Sequence, residues 1–163
     1  MASAVASGAA AYKTGHWSLW VVTAVFLMIG VGRFITITKF IAAKVGPTDV
    51  PAAEKWERIA TFWAAFIALV SGIWCVVSFL VVDDTFAELI SMTTTVAMMV
   101  GIVTRNYGLV RMLNIQLIIA VALLCGSLFF KGNIYYPILG LLLMPMLLGF
   151  KSLASDLRST MAS

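Results

Sequence analysis

Residues 92–116 of this sequence read MTTTVAMMVGIVTRNYGLVRMLNIQ. Two apolar runs flank a short turn, Arg105-Asn106-Tyr107-Gly108, and Arg111 follows that turn. Gly108 adopts positive φ without a steric cost, and Asn106 tolerates positive φ better than most residues. Cations at the end of an apolar helix suit the anionic headgroups of a bilayer. The stretch therefore predicts a transmembrane helical hairpin with a basic turn.

The composition of the whole chain is that of a membrane protein. Hydrophobic residues make up 62% of the 163 residues, charged residues make up 11%, and the mean hydropathy is +1.04. Soluble domains average roughly 45–50% apolar and about 25% charged residues. The net charge of +4 comes from cations in short loops between apolar runs. These cations favour membrane lipids over nucleic acid as partners.

Five apolar segments approach the length of about 20 residues that a membrane-spanning helix needs. They are predicted at 17–37, 59–82, 86–104, 109–130 and 134–150, and residues 151–163 follow as a cytoplasmic juxtamembrane helix or tail. The predicted fold class is all-α, a polytopic transmembrane helical bundle that forms one membrane domain. Residues 2–12 are too short to span alone. They are interpreted either as an interfacial arm or as the end of a first helix in a truncated six-span module.

Two connections between the predicted spans carry most of the charge. Residues 38–58 are the longest polar connection, in which Pro47 and Pro51 are expected to break helix. After Pro51 an amphipathic lead-in is predicted, with Trp56 at headgroup level. The short Asp83-Asp84 turn is interpreted as a solvated helix end and N-cap in preference to a cation site.

Polar and aromatic residues near or within the spans define the candidate contacts. Hydroxyl and amide side chains in hydrocarbon seek partners on adjacent helices, so we predict helix–helix contacts at Thr94, Asn114 and Gln116. Aromatic and basic residues at span ends are typical interface anchors, and here they are Trp17, Arg33, Tyr135 and Tyr136. For Arg33 a second interpretation, a gating or ligand-binding cation, stays open.

The pattern does not predict an enzyme. A membrane-embedded enzyme needs a nucleophile, a base or a metal cluster, and we identify none of these in the sequence. Cys75 and Cys125 lie deep inside apolar runs and are expected to be reduced core residues. No cofactor is predicted, and a bound lipid or pigment is expected only through a partner complex.

The distribution of positive side chains predicts the orientation in the membrane. With five spans, one side of the bilayer receives only Lys13 and Lys131, together with the acidic Asp83-Asp84 turn. The other side receives the remaining cations, which are Arg33, Lys39, Lys44, Lys55, Arg58, Arg105, Arg111, Lys151 and Arg158. The positive-inside rule then places the C-terminus in the cytoplasm and the N-terminus outside.

Several short motifs between residues 56 and 158 recur together in one known family. They are Trp56-Glu57, Gly72-Ile73-Trp74-Cys75, Asp83-Asp84, Met99-Val100-Gly101, Arg105-Asn106-Tyr107-Gly108, Gln116, Tyr135-Tyr136, Pro145, Lys151-Ser152 and Asp156-Leu157-Arg158. With these motifs the chain resembles the N-terminal membrane-sensor region of alphaproteobacterial diguanylate cyclases, which often carry an added phosphodiesterase domain. The resemblance implies a sensory input domain in the bacterial inner membrane. The GGDEF and EAL motifs of that family's catalytic domains do not occur in these residues.

The composition, the predicted spans and the resemblance are compatible with two functions. The first is a non-catalytic sensory module in cyclic di-GMP signalling, whose output is coupled through Pro145, Lys151 and Arg158. The second is a structural or accessory subunit packed against a larger membrane complex, for example a respiratory or photosynthetic assembly. Either function implies other membrane proteins or self-association as partners.

Overall fold

A computed structural model describes residues 2–43, 49–106, 110–145, 149 and 152, with the side chains of these residues except 103–106, 110 and 111. All regular secondary structure in these ranges is helical, which confirms the predicted all-α bundle. The helices are α1 (Ala2–Thr14), α2 (Trp17–Ala42), α3 (Val50–Val77), α4 (Thr85–Asn106), α5 (Val110–Phe130) and α6 (Tyr135–Pro145). A π-helical turn, Ser78–Val82, continues α3.

Four of the described helices are long and apolar enough to cross a bilayer. Their spanning segments are Trp17–Ala42, Val50–Val82, Thr85–Ile102 and Met112–Phe130, with mean hydropathies from 1.4 to 2.6. These lengths and hydropathies are those of an integral membrane protein. The predicted fifth span, 134–150, contains α6, which is apolar but shorter over its described part. Residues 146–148 and 150 of that span lie outside the described residues.

The N-terminal segment is a helix of the bundle. Helix α1 packs against α2 and α4 and buries the small residues Ala4, Ser7, Ala10 and Ala11. Small side chains let helix backbones approach closely. The hydroxyl oxygens of Ser7 and Thr23 lie 3.0 Å apart across the contact with α2. Residues 2–12 therefore belong to a helix packed against the bundle and not to a separate arm.

Helices α2 and α3 both extend into the predicted polar connection at 38–58. Helix α2 continues to Ala42, and α3 begins at Val50. Asp49 accepts a hydrogen bond at 3.1 Å from the Ala52 N–H and so caps α3. Pro51 lies in the first turn, where its missing N–H has no helical partner to lose. The expectation that Pro51 breaks the helix is wrong, because this proline helps to start α3.

Helices α3 and α4 both contribute to the two hydrophobic clusters of the described residues. One cluster, with Cys75 and Phe79, joins α3 to α4 and α5. The other surrounds Trp74, which is fully buried and meets the edge of Phe26 at a ring-centroid distance of 5.7 Å. Gly72 allows α5 to approach, since a Cβ at this position would lie 2.5 Å from Leu123 Cδ1.

Candidate functional site

Polar side chains gather at the two opposite ends of the bundle. The first group surrounds the ends of α1, the π-turn and α5 and the start of α4. We call it the polar cluster, and its members are Lys13, Asp83, Asp84, Glu88, Lys131 and Tyr136. The second group lies beside a cavity at the opposite end of the bundle, between α2, α3, α4 and α5. The two groups differ in how completely their polar atoms are paired.

The cavity has a volume of about 710 Å³. This is within the range of roughly 300–1,000 Å³ typical of small-molecule sites. All four long helices contribute to its walls, and the lining residues are Arg33, Thr36, Ile37, Phe40, Ala53, Trp56, Glu57, Ala60, Trp63, Ala64, Ile67, Met98, Gly101, Ile102, Met112 and Gln116. Most of this lining is apolar, and a few polar groups are placed within it, as in most ligand pockets.

Aromatic and thioether side chains give the cavity its shape. Phe40 and Trp56 connect α2 to α3 by an edge-to-face contact at a centroid distance of 5.4 Å. Trp63 donates its indole N–H to Thr36 Oγ1 at 3.1 Å. Gly32 leaves room for this indole, since a Cβ at Gly32 would lie 2.3 Å from Trp63 Cη2. The hydrogen bond and the close packing hold Trp63 in place as one wall.

Gln116 is the buried polar residue of the cavity. Its side chain is 3% exposed, and its Nε2 donates to the carbonyl oxygen of Ala64 at 3.0 Å, which connects α5 to α3. The other amide atom, Oε1, has no hydrogen-bond partner in the part of the chain that the structure describes. Three further buried side-chain atoms there also have no partner, those of Ser18, Trp74 and Ser78, but none of these residues lines the cavity.

The polar cluster is centred on Lys131. Its ammonium group donates to Asp83 Oδ1, to Glu88 Oε1 and, at 3.0 Å, to the carbonyl oxygen of Phe79. An ammonium group has three N–H donors, so every one of them is used. Tyr136 donates its phenol to the second oxygen of Glu88 at 2.9 Å. The ion pair is enclosed, since the side chains of Lys131 and Glu88 are only 11% and 7% exposed.

The π-helical turn creates part of this geometry. In the turn, the Asp83 N–H donates to Ser78 O at 3.2 Å, and Asp83 itself adopts a left-handed conformation with φ 52° and ψ 41°. The wider turn interrupts the regular i to i−4 pattern and leaves the Phe79 carbonyl to accept from Lys131. Single π-helical turns within α-helices are frequent at functional sites.

A second ion pair joins α1 to the start of α4. Lys13 Nζ lies 3.2 Å from Asp84 Oδ1, and the same carboxylate accepts the N–H groups of Phe86 and Ala87 at 3.0 and 3.1 Å. The Ala87 N–H, the Lys13 ammonium and the Phe86 N–H lower the pKa of Asp84 despite partial desolvation. Burial alone would lower the pKa of Lys131, but its hydrogen bonds to Asp83 and Glu88 and their negative charges raise that pKa.

The structure divides the sequence-predicted contact residues between these regions. Arg33 and Gln116 line the cavity, whereas Tyr136 belongs to the polar cluster. Trp17 and Tyr135 are exposed, at 75% and 74%. Thr94 and Asn114 are half-buried. The next residue, Thr95, makes a contact between helices, with its hydroxyl 3.3 Å from the sulfur of the free, buried Cys75.

Several predicted positions lie outside the described residues or have side chains that are not described. Arg105 and Asn106 end α4 and Arg111 lies in the first turn of α5, but their side chains are not described. Tyr107 and Gly108 of the turn, and Lys151 and Arg158 of the tail, lie outside the described residues. Pro145 is the last described residue of α6.

Sequence reasoning missed the partners that complete both regions. A carboxylate inside an apolar helix needs a nearby cation or donor, so Glu88 carried a signal that pointed toward Lys131. Trp63 and Thr36 carried no such signal, because a tryptophan and a threonine within apolar spans are ordinary. Among the described residues, no group of three or more His, Cys, Asp and Glu side chains is placed to hold a metal ion.

No family model, curated protein or solved structure matches this chain. The likeness to membrane-sensor regions therefore rests on the sequence motifs alone. What the geometry adds is a cavity suited to binding at one end and, at the other, a polar cluster built around the enclosed Lys131–Glu88 ion pair.

Proposed function

We propose that this chain is a non-catalytic membrane module that binds a small apolar ligand between its helices and communicates the binding state to a cytoplasmic output. This is the task of a sensory input domain. The single observation that carries the proposal is the cavity of about 710 Å³, since all four long helices contribute to its walls. A ligand in this cavity contacts all four long helices and can therefore change how they pack against one another.

The contrast between the two ends supports a mechanism. A ligand shifts a conformational equilibrium only if it binds one packing arrangement better than another. In the polar cluster, Lys131 ties the segment before α6 to the π-turn and to Glu88 of α4, and Tyr136 ties α6 itself to Glu88. With this end fixed, filling or emptying the cavity tilts the opposite helix ends, a small rigid-body or shear movement of the kind that helical switches use.

The sequence motifs point in the same direction. The residues that resemble membrane-sensor regions include Met99-Val100-Gly101 and Gln116, and both Gly101 and Gln116 line the cavity. The hairpin turn after α4 and the tail after α6 follow directly from elements that flank the cavity or the cluster. A tilt of these elements is the change that an output domain in the cytoplasm would detect.

The test uses the full chain fused through Ser163 to the GGDEF domain of a diguanylate cyclase. Cyclic di-GMP is measured in cells that express the wild type or Gly101→Leu, a substitution that places a side chain in the cavity. At Gly101 an added Cβ meets no atom of the described residues within 4 Å. The matched control is Gly126→Leu, another helical glycine with open space at its Cβ but outside the cavity lining.

We expect Gly101→Leu to change the cyclic di-GMP level severalfold and Gly126→Leu to leave it at the wild-type level. Equal output from all three proteins at equal expression would overturn the sensory role. In that case, mild detergent extraction that finds the chain inside a larger assembly would support an accessory subunit instead.

A further inference from the structure

We propose that the cavity holds one acyl chain of an anionic phospholipid, whose headgroup lies at the basic end of the bundle. This inference rests on the proposed function, because it names the ligand class of the same cavity. The lipid binds without chemical change, so no reaction is assigned to the chain. The module then responds to the anionic phospholipid content of the membrane.

Helix α1 fills one part of a groove between α2 and α4. It packs against both helices, with Ser7 meeting Thr23 of α2 and Lys13 meeting Asp84 at the start of α4. Because a helix rises about 1.5 Å per residue, these contacts place Ala2, the first residue of α1, level with about residue 28 of α2 and about residue 97 of α4. The described part of α1 covers neither helix beyond these levels.

The cavity begins where α1 ends. Its lining starts at Arg33 on α2 and at Met98 on α4. On α3, Val70 and Trp74 pack in the hydrophobic cluster that contains α1, and Ile67, on the same face of that helix, lines the cavity. The cavity is therefore the continuation of the α1 groove, and the described helices leave it open.

The length of the cavity matches one leaflet of a bilayer. On α3 its lining runs from Ala53 to Ile67, which is roughly 20 Å along the helix axis. The hydrocarbon of one leaflet is about 15 Å thick, half of the whole apolar core. Two lining side chains, Ile37 and Phe40, are 48% and 46% exposed, so the cavity reaches the outer surface of the bundle. An acyl chain of the surrounding bilayer can enter there and lie along the helices, whereas a compact ligand would leave much of this length unfilled.

The charges of the two ends favour an anionic headgroup. Among the described residues of the cavity end, the basic residues outnumber the acidic ones, and they are Arg33, Lys39, Lys55, Arg58, Arg105 and Arg111 against Asp49, Glu54 and Glu57. At the polar cluster the acidic residues are in excess, with Asp83, Asp84 and Glu88 against Lys13 and Lys131. Basic residues close to a bilayer surface attract anionic headgroups. Lys55 and Arg58 are exposed and flank the lining residues Trp56 and Glu57, which places the headgroup beside them.

The test measures lipid retained by the purified full chain in mild detergent, by native mass spectrometry. The probes are dioleoylphosphatidylglycerol and dioleoylphosphatidylcholine, which have the same acyl chains, but only the first has a net negative charge. Glycerol 3-phosphate, which has no acyl chain, is the third probe. We expect the chain to retain the phosphatidylglycerol about fivefold better than the phosphatidylcholine, the effect of one basic residue near an anionic surface. Glycerol 3-phosphate should not be retained.

Variants then assign the acyl chain and the headgroup to their places. Gly101→Leu should reduce retention of both lipids, because its side chain occupies the cavity, and Gly126→Leu should retain both as the wild type does. The double variant Lys55→Gln/Arg58→Gln should lower phosphatidylglycerol retention to the level of phosphatidylcholine and leave the latter unchanged. Lys13→Gln, which removes a cation at the opposite end, is the control and should keep the wild-type preference.

Four results would overturn the lipid assignment. They are equal retention of the two lipids by the wild type, lipid retention that Gly101→Leu leaves unchanged, a preference that survives Lys55→Gln/Arg58→Gln, and a second polypeptide that co-purifies in place of lipid and is displaced by Gly101→Leu. If any of these occurs while Gly101→Leu still alters cyclic di-GMP output, the sensory function stands with another ligand. Lipid retention that depends on Gly101 and on the two basic residues, together with unchanged output, would support the site and overturn the sensory function.

Discussion

The two ends of this bundle treat polar groups in opposite ways. At the polar cluster, all three donors of Lys131 and both oxygens of Glu88 have partners within the protein. At the cavity, the most buried amide keeps one acceptor without a partner among the described residues. Pairing of this completeness is what a structural contact needs. A largely apolar cavity with a few polar groups on its walls is what a binding site needs.

The comparison shows that the type of residue alone does not reveal its role. Glu88 and Glu57 are both carboxylates in long apolar helices. Glu88 is 6% exposed and neutralised by Lys131, whereas Glu57 is exposed and lines the cavity. Ionisable groups in membrane helices are generally taken as functional candidates. Here the pairing of each group, read from the structure, decides between a structural and a binding role.

The largest effect should come from breaking the polar cluster. Lys131→Met leaves the buried Glu88 carboxylate without its cation, and losing one partner of a buried pair typically costs about 3–5 kcal/mol. We expect a loss of this size in the free energy of unfolding in mixed detergent micelles. The double variant with Glu88→Leu should recover much of the loss, because no buried charge remains. A loss below about 1 kcal/mol, the level of an exposed ion pair, would contradict a structural role.

The next effect concerns the helix contact between the two ends. Gly72→Val places a branched side chain where a Cβ already lies 2.5 Å from Leu123 Cδ1. Overpacking of this kind typically costs about 1–3 kcal/mol, and we expect that loss in the same unfolding measurement. Gly126→Val is the matched control, since space is open at its Cβ. Equal losses for both variants would show that α3 and α5 are not held together at Gly72.

A smaller effect, of opposite sign, is expected at the cavity. Gly101→Leu replaces a helical glycine with a good helix former and should stabilise the protein by about 0.5–1 kcal/mol. The gain follows because no described atom lies within 4 Å of a Cβ at this position. The unfolding measurement on the ligand-free protein checks it. A clear loss of stability would show that the cavity end is packed as tightly as the polar cluster.

The sequence predicted the parts of the fold that depend on local pattern. Apolar runs located the long helices, and the charge distribution placed Lys13, Lys131 and Asp83-Asp84 on one side. The structure brings these residues together at one end of the bundle. Helix boundaries were less predictable, because polar helix ends have the low hydropathy that is typical of loops. The start of α3 is such an end, and there Asp49 caps the helix.

The sites depend on distant pairings that no local pattern contains. Lys131 and Glu88 are 43 residues apart, and Trp63 and Thr36 are 27 apart. Their contacts follow from how the helices pack, which the order of apolar runs does not specify. The cavity is less predictable still, because it is defined by space between four helices and by small residues such as Gly101 on its wall. Gln116 was a candidate contact in the sequence. Only the structure shows that its Nε2 donates to the Ala64 carbonyl oxygen and that its Oε1 has no partner among the described residues.

The smallest effect is expected at the exposed edge of the polar cluster, where Lys13 meets Asp84. Asp84→Asn keeps a side-chain oxygen to cap α4 but removes the negative charge that faces Lys13, so stability at neutral pH should fall slightly. Since the folded-state pKa of Asp84 is lowered, its charge stabilises the fold above the unfolded pKa of about 3.9. That contribution is lost as the pH falls through the folded pKa.

The difference in unfolding free energy between the wild type and Asp84→Asn should therefore be constant near neutral pH and shrink in acid. Salt should reduce it as well, since the pair is exposed. A difference that persists in acid would mean that Asp84 acts through its helix cap alone. Helix α1 would then be held by its small buried residues, and the fully paired part of the cluster would reduce to Lys131 and its partners. The polar cluster would still differ from the cavity, but the difference would then depend on the enclosed Lys131–Glu88 ion pair alone.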